Sequence, residues 1–220
     1  MRRYQVTLTG ATPLLIHGDN VNFREVVKEW QKDPANKAKS VAGDDRSPAW
    51  TWVGYCYHDR EHMTLPSDNL MTCIRDGAKK VPTGKRGASY KAQSQSGILV
   101  DQIGWPIETP LGFVPWDCVE MLVDEPDFKV HLETAVELGF ELFVKPAKIG
   151  RAKHIRVRPR FDTWSATGTV TILDDDISEA ILRTILTQSG SYVGIGDWRP
   201  GSIASGQFGR FVATVEKIKS

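Results

Sequence analysis

Phosphate-gripping chemistry is the first that the residues suggest. From Arg75 to Lys91 stand Arg75, Lys79, Lys80, Lys85, Arg86 and Lys91 against one acid, Asp76, for a net of +5. From Lys145 to Arg160 stand Lys145, Lys148, Arg151, Lys153, Arg156, Arg158 and Arg160 with no acid, a net of +7. Guanidinium forks and ammonium groups at that density suit a phosphate backbone, although such a run also describes a merely solvated loop. The whole chain of 220 residues carries 28 Lys and Arg against 27 Asp and Glu, so subtracting both segments from the formal +1 leaves −11 on the other 187. An acidic body bearing two basic segments is expected. Near-neutrality excludes indiscriminate coating of polyanions, while a local phosphate-binding face stays open.

Aromatic faces accompany the charge. Lys85, Arg86 and Lys91 bracket Tyr90 in a stretch of Gly, Ser, Lys and Gln, as expected of a finger that orders on a bound backbone. Gly194-Ile195-Gly196-Asp197-Trp198-Arg199-Pro200-Gly201 offers glycines for close approach, Trp198 for stacking and Arg199 for a forked phosphate contact, with Gly206 and Arg210 nearby. A tight connection that tucks Trp198 into the core is the plainer alternative. His58-x-x-Glu61-His62 has the spacing of an inverted zinc-peptidase motif, which needs a helix to put both imidazoles on one face. It follows a strand-like stretch and precedes Pro66, so a polar turn without metal is expected. No Gly-x-Ser-x-Gly elbow and no phosphate-loop motif occurs, so nucleophilic hydrolysis has no support and no cofactor is expected.

The elements that must position these groups start with Tyr4, Val6 and Leu8, which alternate with polar neighbours as a half-buried strand ending at Gly10. Phe23 to Gln31 has helical spacing, and Asp33 to Pro48 predicts a mobile polar loop. Trp50 to Tyr57 predicts an aromatic strand. Ser67 is expected to cap a helix whose stripe is Leu70, Ile74 and Ala78 and which delivers Arg75, Lys79 and Lys80. Val81 to Gly97 predicts a flexible excursion, followed by short strands at Ile98 to Val100, Phe113 to Val123, Lys129 to Val136 and Phe140 to Lys145. Ile155 to Phe161 and Ser165 to Leu173 are expected to pair as a hairpin. Asp176 with Glu179 predicts a helix start, Gly190 its stop, and Arg210 to Ile218 a closing strand.

In order, the strongest elements are strand, helix, two strands, helix, strand, which predicts an α+β fold with a ferredoxin-like (RRM-like) β-α-β-β-α-β core. The core is assigned to 1–80 and 150–220 and a β-rich, thumb-like insertion to 81–149, so the basic segments fall at its two edges. No apolar run reaches the ~18 residues of a membrane helix. Arg2-Arg3 opens no signal-peptide core, and Cys56, Cys73 and Cys118 are odd in number and widely spaced. A cytoplasmic protein with reduced, mostly buried thiols and no membrane partner is expected.

That order, the opening strand running into Thr12-Pro13-Leu14-Leu15-Ile16-His17-Gly18, the helix entry Leu65-Pro66-Ser67-Asp68-Asn69-Leu70 with Arg75 beyond it, and the glycine-rich loop before the last strand resemble the RAMP superfamily. These are the crRNA-binding proteins of CRISPR effector complexes, in antiviral defence, and the likeness is to their polymerising backbone subunits. The resemblance implies non-catalytic binding of single-stranded RNA within a ribonucleoprotein, with self-association or other complex subunits as partners. It also admits a viral or solitary relative. The RNA would be held by Lys79, Lys80, Lys85, Arg86, Lys91, Lys153, Arg156, Arg158, Arg199 and Arg210, with Tyr90 and Trp198 as base platforms. Two alternatives accompany it. Enzymatic relatives point to Asp19 as the acid of a metal-dependent endoribonuclease, or to His17 as a general acid or base. A protein-binding mimic or inhibitor of such a complex would instead use the acidic remainder, including Asp174, Asp175 and Asp176.

Overall fold

In the computed structural model, which describes residues 1–149 and 152–219, β1 (Arg2–Gly10) alternates as its sequence predicts, with Tyr4, Val6 and Leu8 buried. Arg151 of the second basic segment lies outside the described residues. β1 runs antiparallel between β10 (Phe211–Lys217) and β9 (Ser165–Ile172). The far side of β9 is shared, because β4 (Ile98–Val100) pairs with its end and β5 (Gly104–Thr109) with its start. β3 (Thr64–Pro66) and the short β6 (Gly112–Phe113) extend the sheet from β5. Ile98 to Thr109, assigned by sequence to the insertion, therefore hydrogen-bonds into the main sheet.

α2 (Ser67–Ala78) and α6 (Glu179–Gln188) pack against each other, burying Leu70, Cys73 and Ile74 on one and Leu182, Ile185 and Leu186 on the other. Their ends differ from expectation. Pro66 stands at the cap of α2, with Ser67 as its first residue and no side-chain cap. Ser178 rather than Asp176 caps α6, accepting from the Ile181 N–H. Beyond Gly190 the chain continues in a wide π turn, Ser189–Val193, and stops at Gly194 with φ of 70°. The wider turn keeps Ser189, Gly190 and Val193 inside the core, so the stop moves to the first glycine that can leave it.

A second sheet has the order β2 (Leu14–Leu15), β8 (Ala152–Phe161), β7 (Glu141–Ile149). The expected hairpin of Ile155 to Phe161 with Ser165 to Leu173 does not form: β8 pairs along its length with β7, from Glu141 opposite Arg160 onward. Trp164 is the reason. It is buried at the corner, its indole N–H donates to the Thr12 carbonyl at 3.0 Å and its own carbonyl accepts from Gly10 N–H at 2.9 Å, which carries the chain from one sheet to the other.

Three expected strands are helical. Trp50 to Tyr57 contains a 3-10 turn, Thr51–Tyr55, because Trp50, Trp52 and Val53 are all buried and a half-buried strand would expose alternate ones. Lys129 to Val136 lies in α5 (Phe128–Glu137), capped by Asp127, which accepts from Lys129 N–H at 2.9 Å. Phe113 to Val123 holds α4 (Trp116–Glu120). α1 (Val21–Lys32) forms where its spacing predicts, capped by Asn20. The segment after it is not simply polar and solvated, since Asp45 and Ser47 are buried. The excursion after Val81 closes into α3 (Lys91–Gly97). The chain is thus a mixed helix-and-strand protein with antiparallel sheets, and 81–149 is not all β. Among the described residues no helix is long and apolar enough to cross a membrane, and all three cysteines are free.

Candidate nucleic-acid interface

Residues opposite one another in an antiparallel pair share a face, so the β7–β8 register puts Phe143 with Arg158 and Lys145 with Arg156. The loop from Gly194 to Gly209 closes over this face. Trp198 lies under the Lys145 ammonium, 3.8 Å from its ring centroid, and Phe208 meets both Phe143 at 6.0 Å and Trp198 at 5.7 Å between centroids. Arg158 and Asp197 are 2.5 Å apart. The loop is held by its backbone: Asp197 N–H donates to the Leu15 carbonyl at 2.8 Å, Gly209 N–H to Pro13 at 2.7 Å, and Ile195 N–H to Gly209 at 2.9 Å.

Glycine is required at Gly209. Its φ is 69°, and a Cβ there would overlap the Ile195 carbonyl. Gly209→Ala is expected to lower stability by about 2 kcal/mol through left-handed backbone strain plus the clash, read as a fall in the urea midpoint. A midpoint equal to the wild type would show that the loop adjusts freely.

Two hollows flank Trp198. One, of about 820 Å³, is lined by Lys145, Lys148, Arg158, Asp197, Arg199 and the fully exposed Ile203; the other, of about 430 Å³, by Pro13, Phe143, Gln207 and Phe208. Among the described residues Lys145, Lys148 and Arg199 form no ion pair, although Arg199 donates one hydrogen bond to the Gly196 carbonyl at 3.0 Å. The cleft therefore combines unneutralised cations with stacked aromatics, the pairing that single-stranded nucleic acid requires. A third hollow, of about 600 Å³ beside α1, includes Arg24, Lys28, Tyr55 and Arg156. Its cations are already paired, Arg24 with Asp19, Lys28 with Glu25 and Arg156 with Asp45. Desolvation, with Asp45 nearby, pushes the Tyr55 phenol up to about 12, so it stays protonated.

Of the residues singled out from sequence, Arg158, Trp198 and Arg199 meet in the cleft. Arg156 instead holds the buried Asp45 carboxylate at 2.8 Å, which also accepts from Val157 N–H at 3.1 Å. Lys153 is exposed opposite Lys148. Lys79 pairs with Asp76 at 2.6 Å, Lys80 lies 5.6 Å from the Tyr192 ring, and the Arg210 guanidinium donates to the Ser191 carbonyl. Lys85, Arg86 and Lys91 are exposed on the turn before α3 and at its start, while Tyr90 is half-buried and packed against the core. Sequence reasoning missed Phe143 and Phe208. Phe143 was detectable, since it precedes Lys145 by two residues and must share its face.

None of the chemistry candidates lines the two hollows beside Trp198, although His17 feels the charges of Arg158 and Asp197. Asp19 is exposed and pairs with Arg24 at 3.0 Å. His17 sets its ring edge-on to Tyr55, 4.4 Å between centroids, and its pKa is lowered by desolvation and by Arg158, with Asp197 and Asp45 opposing. His58-x-x-Glu61-His62 forms a turn: Asp59 accepts from Glu61 and His62 N–H at 2.9 and 2.7 Å, and His58 stacks on Trp116 at 3.8 Å. Among the described residues no three His, Cys, Asp or Glu side chains are grouped to hold a metal. The chain matches no family model and no curated protein.

Proposed function

We propose that the chain binds single-stranded RNA without cutting it, as a backbone-type subunit of a ribonucleoprotein. One observation supports this reading: Trp198, with Phe208 behind it and Lys145, Lys148 and Arg199, which form no ion pair among the described residues, around it, lines a cleft that offers an aromatic face for bases and free cations for phosphates. The fold reading is compatible. The antiparallel strand order β10-β1-β9-β4, with α2 and α6 packed together, supports a ferredoxin-like reading, and the resemblance to the RAMP superfamily is retained as part of the proposal.

Fluorescence anisotropy with a labelled RNA of about 20 nucleotides tests the reading. Binding whose log affinity falls linearly with log salt is expected, with a slope of about 0.7 per neutralised phosphate. No binding at about 50 mM salt would overturn it. Magnesium or manganese in the same tube addresses the nuclease alternative, since cleavage abolished by Asp19→Ala would replace binding with catalysis.

Lys85, Arg86 and Lys91 extend the predicted contact to the turn before α3. Replacing all three with Ala is expected to weaken RNA binding about fivefold and to flatten the salt slope by about one to two ions. An unchanged affinity and slope would confine the interface to the cleft.

A further inference from the structure

β8 turns His154, Arg156, Arg158 and Arg160 to one face at two-residue spacing. Each arginine of that row meets a carboxylate from a different segment: Arg156 with Asp45 at 2.8 Å, Arg158 with Asp197 at 2.5 Å, Arg160 with Asp162 at 2.6 Å. Of these acids only Asp197 lines the cleft, and it adjoins Trp198, so the stacking face and the neutralising charge arrive on one loop. Asp45 is anchored by hydrogen bonds from Arg156 and from the Val157 backbone. Asp197 differs, because Arg158 Nε and Asp197 Oδ2 are shielded from solvent yet outside hydrogen-bond geometry, held by charge alone.

We propose that Asp197 determines the specificity of the cleft for single strands over duplexes. By neutralising Arg158 it keeps the number of free cations low, so that charge alone holds a ligand poorly and a bound strand must also offer an unpaired base to Trp198. A duplex presents more phosphate charge per unit length but keeps its base faces stacked, so it gains from cations and gains nothing from the indole. Placing an acid among the cations is a repulsive device that costs some affinity and removes the wrong partner. The proposal rests on the RNA reading above.

The test uses one labelled RNA of about 20 nucleotides, free or annealed to its complement, titrated at about 50 and 200 mM salt. Asp197→Asn is expected to tighten duplex binding about tenfold, tighten single-strand binding by less, and steepen the duplex salt slope by about one ion. Arg158→Gln combined with Asp197→Asn, which removes both charges, returns duplex affinity to the wild-type value. Arg158→Gln alone leaves Asp197 uncompensated and is expected to weaken duplex binding, a readout that remains if Asp197→Asn folds poorly. An unchanged duplex affinity in Asp197→Asn, or an equal gain on both ligands, overturns the proposal. Wild-type protein that binds no single strand overturns the RNA reading and this proposal with it, whereas a wild type that binds single strands beside an Asp197→Asn variant with unchanged duplex affinity overturns this proposal alone.

Discussion

Trp198→Ala is expected to lower the affinity for single-stranded RNA about 5- to 150-fold, the loss of roughly 1–3 kcal/mol for one stacked base. The salt slope should not change, because no cation is removed. Trp198 is the natural centre of the cleft: half-buried, with hollows on two sides, a lysine over its ring and Phe208 packed beside it. Its backbone lies at φ of 50°, so replacement also risks moving the loop. Trp198→Phe separates the two effects, since it retains an aromatic face. Recovery of most of the affinity in Trp198→Phe, with equal melting temperatures for both variants, would assign the loss to stacking. Equal affinities for wild type and Trp198→Ala would remove the indole from the interface.

What the sequence conveyed about this cleft was the kind of residue, and what it withheld was which charges remain free. The alternation of β1 and the apolar stripes of α2 and α6 are local patterns, readable from neighbours two to four residues apart. The pairing of β8 is not local. It turns on a tryptophan at residue 164 whose partner is a carbonyl 152 residues away, and no nearby residue announces that corner. The same holds for charge. A net of +7 counts Arg156 and Arg158 as available, but their acids arrive from the loop before Trp50 and from the glycine-rich loop. Aromatic runs misled for another reason: Trp50-Thr51-Trp52 has strand propensity, yet the core around it takes every apolar side chain, which a 3-10 turn satisfies.

His131 should make the fold acid-sensitive. It is wholly buried in α5; its Nδ1 accepts from the Trp52 indole at 3.1 Å, and its Nε2, 2.9 Å from the Glu125 carbonyl, donates to it. Those partners fix the neutral tautomer, because a proton on Nδ1 would point at another N–H. Desolvation lowers the pKa, against the opposing pull of the Glu125 carbonyl. The unfolded ring titrates near 6.5, so below that pH the unfolded chain takes up a proton that the folded chain resists. Stability from this site is therefore complete above about pH 6.5 and is lost as pH falls toward the lowered value. His17 and His58, also lowered, act in the same direction from more exposed positions. His131→Ala, which empties the ring's space and orphans the Trp52 N–H, is expected to cost about 4 kcal/mol at neutral pH in urea unfolding. His131→Asn keeps a donor and an acceptor without the titration, so its melting temperature should fall less than the wild type's between about pH 7 and 5. Parallel declines in the two proteins would mean that His131 is not the group through which acid acts.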